Sequence, residues 1–424
     1  MQQDRISQWQ QVAFDATAFS IFGLLFVAHP TTLVPSLLVV LAGVVALVHA
    51  GFRARCLALF TTGAYTWIAR SMAAWLGVML LLALIHAENG SFNFPDNELR
   101  MFLTLTLLAM VRSPDADKWF LRGLALAGGA ALCWGVYSWT LGSVARAQAT
   151  TNHPIHFGNL SAIVLLLSAT VALIAKDVGP KVRLLFVMSA VGGLVGVLAA
   201  LSRSSFVVLL CLLPLGWVAR EPAMRKKFQI VLLSAVVLGG VAVATSPQLR
   251  DKLRITEAQV DLQQIAQGNY MSSLGARAAM WKTAWLIFEE HPLLGVGSGH
   301  FERDIVHRIE VGEIPPTEIY NQPHSDILHA LSSGGVLKLA AYLGILIAPF
   351  VFFFQQFQRV KTQPQRRLMP VLGMQVVTAY FLTGLTNSNF DLQIYSITYA
   401  VLVCVLASLC VGSTQASHPG REHQ

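Results

Sequence analysis

Charge is what this chain has least of. Of its 424 residues only 12% are charged, about half the share of a soluble globular protein, while 54% are hydrophobic and the mean hydropathy is +0.58. That balance excludes a water-soluble globule and makes a bilayer the solvent. The scarcity extends into the apolar runs, where Asp15, Arg70 and Lys338 are the ionisable residues expected within spans. A proton- or sodium-coupled transporter keeps carboxylates near the midplane, and the second half of the chain shows no inverted copy of the first, so the pattern argues against transport. Arg70 and Lys338 read either as side chains snorkelling to an interface or as substrate-binding groups.

Other absences narrow the chemistry. Of the 5 cysteines, Cys56 is expected at a membrane surface and Cys133, Cys211, Cys404 and Cys410 in apolar runs, so neither a disulfide framework nor a cysteine zinc site is suggested. HEXXH is missing, and His156, His300, His307, His324 and His329 follow no zinc spacing; no metal and no cofactor are expected. No G-x-S-x-G elbow supports a serine hydrolase. The net charge of +8 could suggest a nucleic-acid partner, but the basic residues sit in short loops rather than on one face, so no nucleic acid is expected. The polar start MQQDRISQWQQVAFD lacks a small-residue cleavage site, and the first apolar segment is expected to stay.

What the chain does have is a series of apolar runs. They fall near 14–28, 33–49, 65–86, 99–111, 119–141, 156–175, 182–201, 205–219, 228–246, 335–354, 370–386 and 392–412, and each backbone must satisfy its own hydrogen bonds in lipid. The expected fold is an all-α polytopic membrane protein of about twelve transmembrane helices, with one large extracytoplasmic loop carrying short helices between spans nine and ten. Residues 1–246 hold the first nine spans, 247–334 the loop, 335–412 the last three, and 413–424 a disordered cytoplasmic tail. Arg53, Arg55, Arg112, Lys118, Lys181, Arg183, Arg225 to Lys227, Arg366 and Arg367 fall in alternate loops, which by the positive-inside rule puts both termini in the cytoplasm. The 247–334 loop then faces outward and holds half of the chain's 22 carboxylates.

The polar candidates gather on that outward side: Arg146, His153 and His156, then Arg203, then the loop, then Asn387, Asn389 and Asp391. GARAAMWKTAWLIFEE has helical spacing, with Trp281, Trp285 and Phe288 in one stripe and Arg277 a turn earlier; on its own this reads as an interfacial helix whose arginine meets lipid headgroups. HPLLGVGSGHF mimics a phosphate loop, but no strand precedes it, and it reads as a tight turn. EIYNQPHSDILHALSSGG reads as a short helix with Pro323 and His324 in its first turn and Gly334–Gly335 at its end. There His324 is expected to be neutral near pH 7, serving either as a proton acceptor beside a bound phosphate or as a capping residue. Asp326 points to the opposite side of that helix, leaving Asp391 as the freer candidate to orient the ring.

NHPIHFGNL, LSRSS, GARAAMW, HPLLGVGSGHF and NQPHSDILHALSSGG, in this order, resemble the motifs of the O-antigen ligase and polymerase family over about residues 146–391. The resemblance implies a metal-independent, inverting glycosyltransferase of the bacterial inner membrane. Such an enzyme moves an O-antigen glycan from undecaprenyl diphosphate to a sugar of the lipid A core on the periplasmic side. It implies His324 as general base, Arg203 and Arg277 as diphosphate ligands, Asp391 as a less secure acidic partner or sugar ligand, and Arg146 and His156 near the diphosphate. Relatives that polymerise O-antigen or glycosylate protein hydroxyls are the alternatives within the family, and a lipid or polysaccharide transporter is the alternative outside it.

Overall fold

The computed structural model describes residues 2–27, 32–87, 94–141, 146–175, 179–212, 226, 230, 245–252 and 255–415, and among the described residues there is no strand. The chain runs α1 (Gln2–Gly23), α2 (Leu33–Val48), α3 (Ala50–Ala58), α4 (Thr66–Ile85), α5 (Asp96–Leu103), α6 (Thr106–Ala109), α7 (Ala116–Thr140), α8 (Pro154–Ile174), α9 (Pro180–Ala200) and α10 (Arg203–Val207). It continues with α11 (Pro247–Lys252), α12 (Ile255–Ala266), α13 (Ser273–Glu290), α14 (Phe301–Glu310), α15 (Asp326–Arg359), α16 (Leu368–Gly384) and α17 (Gln393–Gln415).

Among the described residues, 6 helices are long and apolar enough to cross a bilayer: α4, α7, α8, α9, α15 and α17. The pair α2–α3, bent by 109°, makes a seventh if it is one span. The difference from the expected series has local causes. α1 begins in the polar stretch QQDRISQWQQ, the expected fourth span divides between α5 and α6, and α16 has 17 residues. The expected spans over 205–219 and 228–246, like the tail beyond Gln415, lie largely outside the described residues.

Two helices form the centre. The spanning stretches of α8 and α17 are each 89% buried, against 28% for α4, as expected of helices that are apolar on every side. Without a hydrophobic drive between helices in lipid, close approach and hydrogen bonds hold them. Gly128 of α7 and Gly192 of α9 touch backbone to backbone, with no room for a side chain at either. Ser168 and Ser189 share a hydrogen bond of 2.8 Å between α8 and α9, and the Thr170 hydroxyl donates to Gln375 Oε1 of α16 at 2.9 Å.

The loop is fastened to the membrane part at a break in α15. Gly335 adopts φ 58° and ψ −155°, open to glycine because it has no Cβ, and so interrupts the helical ladder. In an unbroken helix the amides of Val336 and Leu337 would serve the carbonyls of Ser332 and Ser333. Here the Val296 and Gly297 amides donate to those carbonyls at 2.9 and 3.0 Å, and the Val336 amide donates to Pro292 O at 2.9 Å. Gly295, at φ 58°, packs so closely on Ser332 and Gly334 that a Cβ there would collide with backbone. HPLLGVGSGHF is thus the tight turn expected of it, and it replaces the hydrogen bonds that the break removes.

A small apolar core holds the loop itself, with Ala276, Met280, Ala284 and Ile287 of α13 against Phe301 and Ile305 of α14. Beside it Arg308, only 4% exposed, is gripped by Glu290 at 2.5 Å, Asp304 at 2.5 Å and Glu313 at 2.7 Å. That clasp ties the end of α13 to α14 and to the turn that follows.

Candidate active site

The first wall of the site is built from two of the sequence motifs bound to each other. Asn159 of NHPIHFGNL is buried in α8, and its Oδ1 accepts from the Ser204 and Ser205 hydroxyls of LSRSS, each at 3.0 Å. Gly158 lets α8 approach: a Cβ there would meet Ser205, Ala200 and Ser202. This fixes Arg203 at the start of α10. Arg146 is held over the same corner, its Nε donating to Ala200 O at 2.9 Å, and the Ala147 amide donates to Ala199 O at 2.9 Å.

His153 caps α8, accepting from the Ile155 amide at 3.3 Å, and Pro154 suits the first helical position. Its ring lies 4.7 Å from that of His156, which in turn meets Tyr395 edge-on at 5.3 Å. Partial burial and then the charge of Arg146 push His153 below the ordinary imidazole value.

The second wall comes from the loop. Ser272 caps α13 by accepting from the Gly275 amide at 3.1 Å, and α13 carries Arg277 and Trp281 one turn apart on the same side. The Trp281 indole N–H donates to Pro323 O at 3.0 Å, pinning the peptide just before His324. The His324 ring lies 5.2 Å from Tyr320, whose hydroxyl donates to Glu318 at 2.6 Å. The arginine of the Trp-containing helix therefore lies within electrostatic reach of the histidine.

The two walls face each other across one charge environment. Burial first, then the charge of Arg277, then that of His153, hold the His324 imidazole down to about 4. Burial and then the charge of Arg203 push the Arg277 guanidinium below its usual value, as for two cations held near one another, yet it stays charged. Arg203 also lies 3.9 Å from Glu257, a loose and exposed pair. Arg146, His156, Arg203, Arg277 and His324 are thus linked, with His153 between them, through neighbouring charges.

His324 is neutral for a reason different from the one expected. α15 begins at Asp326 with Ser325 as its N-cap, so Pro323 and His324 precede the helix rather than forming its first turn. Desolvation and neighbouring cations depress the ring, in place of a helix terminus. Its backbone is strained as well, with φ 51° in the left-handed region. Among the described residues, the other non-glycine positions in that region are Ala149, Asn152 and Leu201, each within a few residues of Arg146, His153 or Arg203. Strain gathered this way around one site is retained where the surroundings over-determine it.

Asp391 is not the partner of His324. Its carboxylate lies 3.6 Å from His329 Nε2, on the other side of the α15 N-terminus, where Asp326 Oδ1 accepts from the Phe390 amide at 3.2 Å. Asn387 and Asn389 are buried and bond to each other at 2.8 Å, with Asn389 donating to Thr383 at 2.9 Å, so they shape the turn before Asp391. Arg70 bonds Phe60 O at 2.9 Å from an exposed position, whereas Lys338 is 3% exposed and donates to Ser333 at 2.8 Å, so snorkelling is set aside for Lys338. Tyr320 and Asn159 escaped sequence reasoning because a lone tyrosine in a loop and an asparagine in an apolar run carry no local signal. Among the described residues no three His, Cys, Asp or Glu side chains converge in metal-binding geometry.

A family model described as O-Antigen ligase matches residues 184–343, a stretch that holds Arg203, Arg277 and His324. An uncharacterized protein of Haemophilus influenzae is 26% identical over 133 residues, which covers 31% of this chain and 33% of that relative. The match thus spans about a third of either protein. The matched stretch, which carries both arginines and the strained histidine, is thus similar to the O-antigen ligase family.

Proposed function

We propose that the protein transfers an O-antigen glycan from undecaprenyl diphosphate to a sugar of the lipid A core, on the periplasmic face of the bacterial inner membrane. The observation that carries this reading is the pairing of a neutral, desolvated His324 with the Arg277–Arg203 cation pair. In the proposed step the acceptor hydroxyl oxygen attacks the anomeric carbon from the side opposite the diphosphate. The new C–O bond forms as the old one breaks, the electron pair leaves with the diphosphate, and the hydroxyl proton passes to His324. Charge grows on the departing diphosphate in the transition state, and paired guanidinium forks suit its oxygens, in the role a metal ion often takes for such leaving groups.

Arg146 and His156 complete the wall facing those oxygens. Lateral access from lipid suits a donor carried on a polyprenyl chain. Ligase and polymerase share this donor and differ in the acceptor, so the acceptor decides between them. Purified protein in chelator would be given labelled undecaprenyl-diphosphate glycan with rough lipopolysaccharide. Labelled lipopolysaccharide is expected; lengthened lipid-linked glycan alone would replace the ligase reading with the polymerase one.

A further inference from the structure

A second polar site lies across α15 from His324. An open cavity of about 270 Å³ is lined by His86, Phe94, Asp96, Glu98, His300 and Asp391, among others. It shares Met79, Glu98 and Asp391 with an inner cavity of about 20 Å³, which has room for about one water molecule. Four side chains of the inner cavity are more than nine-tenths buried and hold a polar atom without a hydrogen-bond partner: Trp75 Nε1, Asp326 Oδ2, the His329 ring nitrogens and Tyr342 Oη. Native interiors leave few such atoms unmatched, and a cluster of them facing a cavity calls for a ligand group that completes them. The transfer step at His324 uses none of the four.

The lining sets the class of ligand. Glu98 and Asp391 stand where the two cavities meet, and Asp96 lies at the mouth, its charge offset by Arg100 at 2.7 Å. Against the single ammonium of Lys338 in the inner cavity stand Glu98, Asp326 and Asp391, and carboxylates accept hydrogen bonds from hydroxyl or ammonium groups and repel phosphate. The inner cavity, with room for about one hydroxyl group, is lined by the unpartnered indole N–H of Trp75 and hydroxyl of Tyr342, and Phe94 offers an apolar face at the mouth of the outer one. A sugar ring, with hydroxyls at its edge and C–H groups on its faces, matches donors, acceptors and apolar wall together. We propose that this cavity is a saccharide-ring subsite that takes a neutral or amino-bearing sugar through its hydroxyls and excludes a phosphorylated one. The proposal leans on the glycan-transfer reading only for the origin of the ring, in donor or acceptor; binding itself is independent of it.

Saturation-transfer NMR on the full chain in detergent tests it, with a methyl hexoside, a methyl hexosaminide and a hexose 6-phosphate as probes. The first two are expected to receive saturation and the third not. Glu98→Gln removes a carboxyl acceptor and should weaken binding about tenfold. Absence of transfer to both unphosphorylated probes, equal transfer to the phosphate, or unaltered binding in E98Q would overturn the subsite. Should E98Q fail to fold by gel filtration, Asn97→Trp fills the mouth from a partly exposed position, and persistence of the signal in that variant overturns it equally. Repeat-unit and dephosphorylated core oligosaccharides, added in turn, then identify which substrate supplies the ring. Failure of the transferase reading would appear separately, as absence of turnover with intact sugar binding.

Discussion

Two polar sites flank the start of α15 at Ser325–Asp326, and they are opposite in sign. On one side Arg203 and Arg277 approach each other beside His324. On the other, Glu98, Asp326 and Asp391 surround His329 and the buried Lys338. The start of α15 thus separates a cationic surface fit for diphosphate from an acidic one fit for hydroxyls. On the two readings proposed above, the start of α15 divides leaving-group stabilisation from sugar recognition, so each side should be open to disabling without the other.

The largest effect expected is on the cationic side. His324→Asn should lower turnover by about 10²–10⁴-fold, the range of general-base catalysis, while leaving the protein folded. Asparagine is chosen because it tolerates the left-handed backbone that alanine resists. Normal single-turnover rates in H324N would remove the base from the mechanism. Next, Arg203→Lys and Arg277→Lys each replace a bidentate fork by a point charge and should reduce kcat/KM by about ten- to a hundredfold. Binding of a diphosphate analogue, measured by calorimetry, should weaken in both, and wild-type affinity would place the leaving group elsewhere.

A pH profile sharpens the contrast further. With its imidazole held down to about 4, His324 is in its competent neutral form throughout the mildly acidic range, so kcat/KM should stay level to about pH 5 and fall only near pH 4. Removing the second cause of that depression, in Arg277→Gln, should move the acid limb upward. An acid limb near the ordinary imidazole value in the unmodified enzyme would contradict the desolvated site. The same sign governs stability: a lowered folded-state value means that protons bind the unfolded chain more readily, so stability falls as pH drops from about 6.5 towards 4.

The smallest effect on chemistry is expected from the clasp remote from both sites. Arg308→Met strands three partly exposed carboxylates and should destabilise the loop by about 2 kcal/mol, below the full penalty of a buried pair because water reaches those oxygens. Thermal unfolding would measure this, with turnover per folded molecule nearly unchanged. A loss of turnover without a loss of stability would mean that α14 positions the site directly.

Much of the cationic side was legible in the chain because its residues sit in local motifs. LSRSS, GARAAMW and NQPHSD each place one candidate residue beside small or capping residues that serve the local backbone. The acidic side was not legible. Glu98 begins a short helix, His329 and Lys338 lie on a membrane helix, and Asp391 follows a distant turn, so no spacing joins them. Lys338 stands out as a charge within an apolar run and Asp391 as an outward acidic candidate, but nothing in the sequence joins the two. For the same reason Asp391 was matched with the wrong histidine: its nearness to His329 depends on how α17 is preceded by the Asn387–Asn389 turn, a contact between segments remote in sequence.

By itself the sequence determined the solvent and the secondary structure, because hydrocarbon admits only long apolar segments that satisfy their own backbone, and that demand is written residue by residue. It also determined the break at Gly335, since glycine alone enters that conformation without strain. Tertiary structure decided which charges meet. Proximity of Arg277 to Arg203, burial of His324 and the enclosure of Asp326 with His329 come from packing between helices far apart in the chain, and desolvation of an ionisable group has no local signature.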